Sequence, residues 1–446
     1  MNTQTRNRLG FWSIVLLGIN GVIGSGIFLL PGKAMALMGP GSIFVYLFTA
    51  LVVMAIALCF AECAGRFSRN GAAYVYAREA FGNFVGFEVG IMSWAIRIIA
   101  WSAMSVAFVT ALAAVWPDAL HEPYRTIIIL VILVGLGTLN LTGVKPVKLV
   151  NNLVTCGKLL PLAIFILVGV WFVQGSKFVP MFPKGITTDG IGTTSLLIFY
   201  AFTGFEALAV AAEDMENPRK NLPRALMVVM GFCGLVYFAV QAIAVGTLGP
   251  ALAKSTAPVT DAASMFMGNG GKWLVTLGTL VSIGGINVAA SFGAPRTGVA
   301  LAEDRIVPRK FAELNRFGVA WLSVAATVLV AIPVALSGSF VQLAAISMVS
   351  RFAQYLPTCL AVIVLRRRRP DLPLGFKVPG GPVFIPVLAT LICVWLLSKA
   401  TQSQLVWGLG ALGIGIPLFF LMLFLNRGKA SSGGPAMTGL PETQQR

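Results

Sequence analysis

Long apolar segments separated by short polar loops occupy almost the whole chain. Stretches such as 9–32, 34–61 and 225–253 contain no Lys, Arg, Asp or Glu. A membrane-spanning helix needs about 20 predominantly apolar residues, and these stretches reach that length. The pattern therefore predicts an all-α membrane protein with twelve transmembrane helices. The predicted spans are 11–37, 42–64, 86–115, 125–142, 147–173, 192–212, 225–248, 272–300, 320–337, 340–365, 383–399 and 405–425.

The composition supports a lipid environment and argues against a nucleic-acid partner. Hydrophobic residues make up 57% of the chain and charged residues only 11%, whereas an ordinary soluble domain has about 25% charged residues. The formal net charge is +17, but the basic residues lie in short loops between apolar segments. In that position they set the orientation of the spans, so we expect the lipid bilayer as partner and no nucleic acid.

The distribution of basic residues predicts the orientation. With the N-terminus inside, 23 Lys and Arg residues lie in inner loops, 7 lie outside and the remaining three lie within spans. Inner loops carry the excess of basic residues. We therefore expect a multi-pass protein of the cytoplasmic (inner) membrane with both termini cytoplasmic. Residues 1–10 form the N-terminal segment, and 426–446 are expected to be a disordered cytoplasmic tail.

Residues typical of metal or covalent chemistry are sparse. All six cysteines lie within apolar spans or at their ends without a CxxC spacing, and His121 is the only histidine. These residues exclude a His-rich metal site and a Ser-His-Asp triad built on a buried histidine. Neither the glycine string of the first span nor Gly268–Lys272 has the spacing of a phosphate loop. We expect no enzyme activity, no metal and no cofactor.

The first span contains the string GINGVIGSGIFLLPG, with four glycines within nine residues. Each glycine weakens a helix by about 1 kcal/mol relative to alanine, so a break at Gly24–Gly26 is one interpretation. A broken helix at membrane depth survives only where its free backbone groups line a cavity, and a new helix N-terminus attracts an anion such as a carboxylate. Close helix packing through small residues is the alternative interpretation.

The sixth span carries YAFTGFEALAV, in which Gly204 lies between Thr203 and Glu206. This span begins a second set of five, as the glycine string begins the first. Interruptions at corresponding positions of two halves are typical of transporter binding sites. We therefore favour function over simple packing for both strings.

Four ionisable residues are assigned to the spans, namely Arg97, Lys158, Glu206 and Arg351. Intramembrane charges are costly and often functional. An ion pair such as Arg97 with Glu206 is the structural alternative, and the role of Arg351 is left open. The sum of +2 disfavours a cationic substrate, because like charges repel strongly at low dielectric.

Three motifs together resemble the amino acid–polyamine–organocation transporter superfamily. They are GVIGSGIFLLPG in the first span, GFEALAVAAEDMENPRKNLPRA around the sixth, and GAPRTGVALAEDRIVP after the eighth. The resemblance implies a five-plus-five inverted-repeat fold with discontinuous helices 1 and 6 and two extra C-terminal helices. The first repeat would be 11–173, the second 192–365, and the extra helices 383–425.

The resemblance also implies a substrate site between the two broken helices. The substrate carboxylate would meet the backbone N–H groups of Ser25, Gly26 and Ile27. Tyr200 would close over the substrate, and Lys158 would occupy a vacated sodium site, so transport would be sodium-independent. Glu206 would take part in proton coupling. Arg97 departs from the pattern of the arginine/agmatine and lysine/cadaverine exchangers; one helical turn from Trp101, it is expected near the side-chain end of the pocket. The full predicted set is Ile23, Gly24, Ser25, Gly26, Ile27, Arg97, Trp101, Tyr200, Phe202, Thr203, Gly204 and Phe205 for substrate, with Lys158 and Glu206 for coupling.

The sequence thus predicts a secondary active amino acid transporter, either a proton-coupled symporter or an amino acid exchanger. A neutral or acidic substrate is favoured over a cationic one. The alternatives are an amino acid/amine antiporter linked to decarboxylation and an amino acid sensor that does not transport. A monomer and a homodimer are both compatible with the sequence.

Overall fold

The computed structural model describes residues 10–67, 73–143, 148–210, 215–372 and 375–427. The predicted N-terminal segment 1–10 and tail 426–446 lie almost wholly outside these residues. Every regular element in the described ranges is helical, apart from one isolated bridge between Leu314 and Ala320. The fold is therefore all-α, as the hydrophobic pattern predicts.

The described ranges contain sixteen α-helices, α1 to α16 in chain order. They are α1 (Phe11–Val22), α2 (Ser25–Leu29), α3 (Pro31–Met38), α4 (Ser42–Ala64), α5 (Ala73–Phe81), α6 (Asn83–Leu112), α7 (Tyr124–Leu141), α8 (Lys148–Gly169), α9 (Thr188–Phe199), α10 (Glu206–Val210), α11 (Pro218–Leu248), α12 (Pro258–Glu303), α13 (Trp321–Leu336), α14 (Phe340–Arg368), α15 (Phe384–Leu397) and α16 (Gln402–Arg427). Within α12, Gly268 has a φ of 59° and interrupts the helical backbone.

Eight helices in the described residues are long and apolar enough to cross a membrane. Four shorter apolar helices lie where the sequence predicts spans 1, 5, 9 and 11; they are Phe11–Val22, Gly157–Phe172, Trp321–Leu336 and Phe384–Leu397. Large apolar side chains remain exposed on the outer helices, for example Val131 (65%) and Phe424 (75%). Such side chains suit contact with lipid tails rather than water.

The structure differs from the predicted spans at particular places. The predicted span 192–212 is interrupted between α9 and α10, and span 86–115 begins earlier and ends earlier, as α6. The short helix α5 was not predicted. Its Tyr74 and Tyr76 side chains are buried, and the Tyr76 ring packs against Phe60 of α4. A nine-residue helix of mixed polarity is below the length that a search for membrane spans detects.

The centre of the molecule is formed by helices that pack around the interrupted segments. The helix α6 packs against both α12 and α14, and α4 packs against α11. The interrupted helix α1 lies against α11, and α2 contacts α12 and the 3₁₀ turn at 200–202. This arrangement brings the two interruptions together in the interior.

Candidate functional site

The first interruption lies within the glycine string. The helix α1 ends at Val22, and α2 begins at Ser25. Ile23 has an extended backbone (φ −72°, ψ 103°), and Gly24 adopts φ −132° and ψ −148°. The chain is therefore not helical at Ile23 and Gly24. The observed break overlaps the expected break at Gly24–Gly26 only at Gly24, because Ser25 and Gly26 already belong to α2. Backbone groups on both sides lose their helical partners.

The second interruption follows α9. A 3₁₀ turn covers Tyr200–Phe202, Thr203 is extended, and α10 begins at Glu206. Gly204 has a φ of 108°, a conformation that side chains with a Cβ rarely adopt. The glycine thus permits the sharp change of direction before α10.

The two interruptions touch each other through glycines. A Cβ atom on Gly26 would lie 2.6 Å from the Cα of Ala201, and one on Gly204 would overlap with the carbonyl oxygen of Gly21. Backbone atoms form these contacts and cannot swing aside. Glycine is therefore required at both positions for the observed approach of α2 to the 3₁₀ turn and of α1 to the second break.

Two side chains from neighbouring helices bind the carbonyl groups that the breaks expose. The ammonium group of Lys158 in α8 donates to the carbonyl oxygens of Asn20 (2.5 Å) and Ile23 (3.0 Å), and its side chain is fully buried. The hydroxyl group of Tyr237 in α11 lies 3.1 Å from the Val22 oxygen and 2.9 Å from the Ala201 oxygen. Because a hydroxyl has one proton, it is shared between the two acceptors. Tyr237 therefore joins the first break to the second.

A cavity of about 150 Å³ opens between the breaks. It is mainly apolar, and Arg351 is its only charged lining residue in the part of the chain that the structure describes. The Ser25 hydroxyl, at its wall, donates to the Met104 sulfur at 3.3 Å. The lining residues are Gly21, Val22, Gly24, Ser25, Gly26, Ala100, Met104, Tyr200, Ala201, Thr203, Gly204, Ile286, Ala290 and Arg351.

Arg351 and Glu206 form an ion pair at this cavity. Nη1 of Arg351 in α14 donates to Oε1 of Glu206, the first residue of α10. The other carboxylate oxygen of Glu206 accepts from the backbone N–H of Gly204 at 2.9 Å. One carboxylate therefore connects the second break to α14. The Arg97–Glu206 pair considered from the sequence is not formed; Arg351 takes that place.

The predicted site residues divide into two groups. Gly24, Ser25, Gly26, Tyr200, Thr203 and Gly204 line the cavity. The others do not line it. Ile23, Ile27, Trp101, Phe202 and Phe205 are fully buried, and the half-buried Arg97 lies beside Gly293 of α12. Among the described residues Arg97 has no ion pair. From α6, the cavity is lined by Ala100 and Met104, which are one helical turn apart. Trp101 lies between them in the sequence but does not line the cavity.

Sequence reasoning missed two carboxylates within its own predicted spans. Glu62 in α4 binds Arg66 at 3.0 Å and Arg366 at 2.5 Å, and accepts from the N–H of Val378 at 2.8 Å. Glu88 in α6 is buried next to Gly415 of α16, and its oxygens have no hydrogen-bond partner in the described ranges. The predicted sum of +2 left out these two carboxylates, and it also left out basic residues inside the predicted bounds, such as Arg296 in span 272–300. The sum is therefore not the net charge of the spans.

Comparison with known proteins gives a consistent result. A family model described as amino acid permease matches residues 9–405. An uncharacterized transporter of Mycobacterium tuberculosis is 34% identical over 391 residues, covering 81% of this chain and 80% of that protein. The branched-chain amino acid permease BcaP of Bacillus subtilis is 29% identical, covering 93% of each chain. The serine/threonine exchanger SteT of the same organism is 29% identical, covering 94% of this chain and 97% of that protein.

Proposed function

Because this chain belongs to the amino acid permease family, we propose that it is a secondary active amino acid transporter that works by alternating access. It is a transporter and not an enzyme. We place it in the cytoplasmic membrane, with twelve spans, two inverted repeats and both termini cytoplasmic. The observation that carries the proposal is the cavity between the two helix breaks, because its walls include backbone groups released from helices.

The substrate carboxylate is proposed to bind the backbone N–H groups of Ser25 and Gly26. These residues begin α2, so their N–H groups have no helical acceptor. The substrate amino group is proposed to bind carbonyl oxygens at the second break, near Thr203. The carbonyl of Ile23 is already engaged by Lys158, which leaves the second break as the better acceptor site. Tyr200 covers the cavity beside Ala201.

The cavity supports a small, neutral or acidic substrate. An apolar cavity of about 150 Å³ holds a molecule the size of benzene, and alanine has the same number of non-hydrogen atoms. The ammonium or guanidinium group of a cationic amino acid would face Arg351 without a free carboxylate, because Glu206 is already paired. The names of the relatives, which refer to branched-chain amino acids, serine and threonine, favour the neutral class.

Coupling is proposed to involve Lys158 and Glu206. The Lys158 ammonium group occupies the carbonyl cluster at the first break, which favours transport without sodium. Protonation of Glu206 would remove its charge and release Arg351, so a proton could loosen the link between α10 and α14. In an exchanger, a second substrate molecule would drive the same change.

Counterflow in proteoliposomes tests the function. Purified protein is reconstituted, loaded with one unlabelled amino acid, and offered labelled alanine, serine, leucine, glutamate or lysine. We expect saturable uptake of a neutral or acidic amino acid, above that of protein-free vesicles and unaffected by replacing sodium with potassium. An imposed pH gradient without internal substrate separates symport from exchange.

The outcomes distinguish the alternatives. Lysine as the best substrate would contradict the proposed substrate class. Tight binding of an amino acid by the purified protein without any uptake would instead support the sensor. The variant Gly231→Ala is the matched control for cavity variants, because Gly231 lies in α11 with open space around it.

A further inference from the structure

A second cavity lies apart from the first and shares no lining residue with it. It has a volume of about 310 Å³, within the usual range of ligand pockets. Its walls are the end of α7, about the last three turns of α12, and the segment 314–320 before α13. In the proposed orientation these helix ends lie at the cytoplasmic surface of the membrane.

The walls of this cavity are held by hydrogen bonds. The amide nitrogen of Asn315 donates to the carbonyl oxygen of Leu141 at 3.0 Å, and its oxygen accepts from the N–H groups of Phe317 (2.9 Å) and Val319 (3.0 Å). The Ser323 hydroxyl donates to the Pro295 oxygen at 2.6 Å. The segment 314–320 is thereby tied to α7, and α13 is tied to α12, so the cavity is formed before any ligand binds.

One cationic and one acidic side chain face the cavity from the same helix. Arg296 and Glu303 of α12 both line it. They are seven residues apart, which places them on one face about 10 Å apart along the axis. Neither has an ion pair or a side-chain hydrogen bond within the described part of the chain. Two opposite charges that do not pair with each other suit a ligand that carries both charges.

The rest of the cavity is lined mainly by apolar side chains, with Asn140 as a polar exception. In the proposed orientation its rim lies at the level of the membrane surface. Phe292, Val299 and Val324 line it, and at its rim Leu314 and Phe317 are 66% and 50% exposed. Trp321, at the start of α13, is 48% exposed, and tryptophan is enriched at the membrane–water interface. A ligand here has a charged part in the cavity and an apolar part along the rim.

We propose that this cavity binds the phosphoethanolamine headgroup of a membrane phospholipid. The phosphate binds the Arg296 guanidinium, which matches phosphate geometry, and the ammonium binds the Glu303 carboxylate. The acyl chains leave past Leu314 and Phe317 into the bilayer. The inference requires that the chain spans the membrane but does not depend on which amino acid is carried.

Lipid retention by the full-length protein tests this site. The purified protein is exchanged into mixed micelles containing equal amounts of phosphatidylethanolamine, phosphatidylglycerol and phosphatidylcholine, and the lipids that remain bound are quantified by mass spectrometry. We expect phosphatidylethanolamine to be enriched. Arg296→Gln should lower its retention about tenfold, as expected for one lost charge-assisted contact. Glu303→Gln should remove the preference over phosphatidylglycerol.

Two further variants separate the cavity from general surface charge. Arg309→Gln removes a basic side chain that is exposed nearby but does not line the cavity, and it should retain lipid as the unchanged protein does. Ala300→Trp fills the cavity without changing charge and should lower retention.

An equal loss with Arg309→Gln and Arg296→Gln, or enrichment of phosphatidylglycerol in the unchanged protein, would overturn the proposal. So would the absence of any enrichment. Counterflow activity serves as the measure of correct folding, and a failure of the lipid test leaves the transport proposal standing.

Discussion

Lys158 reaches the carbonyl oxygens that the interrupted first helix leaves without helical partners. A buried ammonium group is costly unless it is hydrogen-bonded, and exposed carbonyl groups in the membrane interior are equally costly. Each of these features stabilises the other. The residue type could be predicted from the sequence, because a lysine in an apolar span requires acceptors. The particular acceptors, Asn20 and Ile23, depend on where the helix ends.

We expect Lys158→Ala to impair transport strongly. The substitution leaves two buried carbonyl groups without their donor, at about 1–3 kcal/mol for each unsatisfied group. Transport in proteoliposomes should fall by tenfold or more, while the amount of protein in the membrane changes little. Lys158→Arg keeps the charge and serves as the control for charge alone. Full activity of Lys158→Ala without sodium would contradict the proposed role.

The Glu206–Arg351 pair predicts non-additive effects. Breaking a buried ion pair by removing one partner costs about 3–5 kcal/mol, because the other charge stays uncompensated. Glu206→Gln and Arg351→Gln should each reduce transport severely, and the double variant should be more active than either. Initial uptake rates for the four proteins form the double-mutant cycle. Strictly additive losses would show that the two side chains act separately.

The Glu206 carboxylate also leads to a prediction about how transport depends on pH. If a proton on Glu206 releases Arg351, then uptake measured across a range of pH should vary in the unchanged protein and vary less in Glu206→Gln. The glutamine mimics the protonated, uncharged form at every pH. A pH profile of Glu206→Gln that runs parallel to that of the unchanged protein would assign the coupling proton to another group.

At the level of elements, the two breaks explain why the glycines are placed as they are. Gly26 allows α2 to approach Ala201, and Gly204 turns the chain towards α10. The approximate position of both breaks could be predicted, from the glycine string in the first span and from Gly204 at the corresponding place in the sixth. The contact of one break with the other could not be predicted, since it depends on the packing of α10 and α11 against α1. For the same reason Tyr237 could not be identified, because nothing in its local sequence distinguishes it from other aromatic residues in apolar helices.

Addition of a single methyl group tests the contact between the breaks. Gly26→Ala places a Cβ 2.6 Å from the backbone of Ala201, and such overpacking costs about 1–3 kcal/mol. That range corresponds to a loss of transport between about fivefold and about 140-fold. Gly231→Ala, which meets no neighbouring atom, should transport normally and gain slightly in thermal stability. Equal activity of the two variants would show that the breaks do not need to touch.

At the level of the whole molecule, two of the intramembrane carboxylates are paired with cationic side chains. Glu206 binds Arg351, and Glu62 binds Arg66 and Arg366 near the ends of α4 and α14. A cationic substrate is therefore disfavoured by the cavity itself and not by a net charge in the membrane. Among the described residues, Arg351 is the one cationic side chain that lines the cavity, and its acidic partner Glu206 is already engaged. Counting charged residues in the sequence could not predict this ion pair, because the count does not show which charged side chains lie at the same cavity.

The orientation of the whole molecule makes the last prediction, and it determines which leaflet reaches the second cavity. The side chains of five of the six cysteines are described, and all five are free and buried, so a new surface cysteine gives a clear signal once Cys156 is replaced. Ser176→Cys lies in a predicted outer loop and Glu313→Cys in a predicted inner loop; both side chains are exposed. A membrane-impermeant maleimide should label Ser176→Cys in intact cells and Glu313→Cys only after the cells are opened. The reverse labelling pattern would show that the protein has the opposite orientation in the membrane. The headgroup bound beside Arg296 would then come from the outer leaflet of the cytoplasmic membrane.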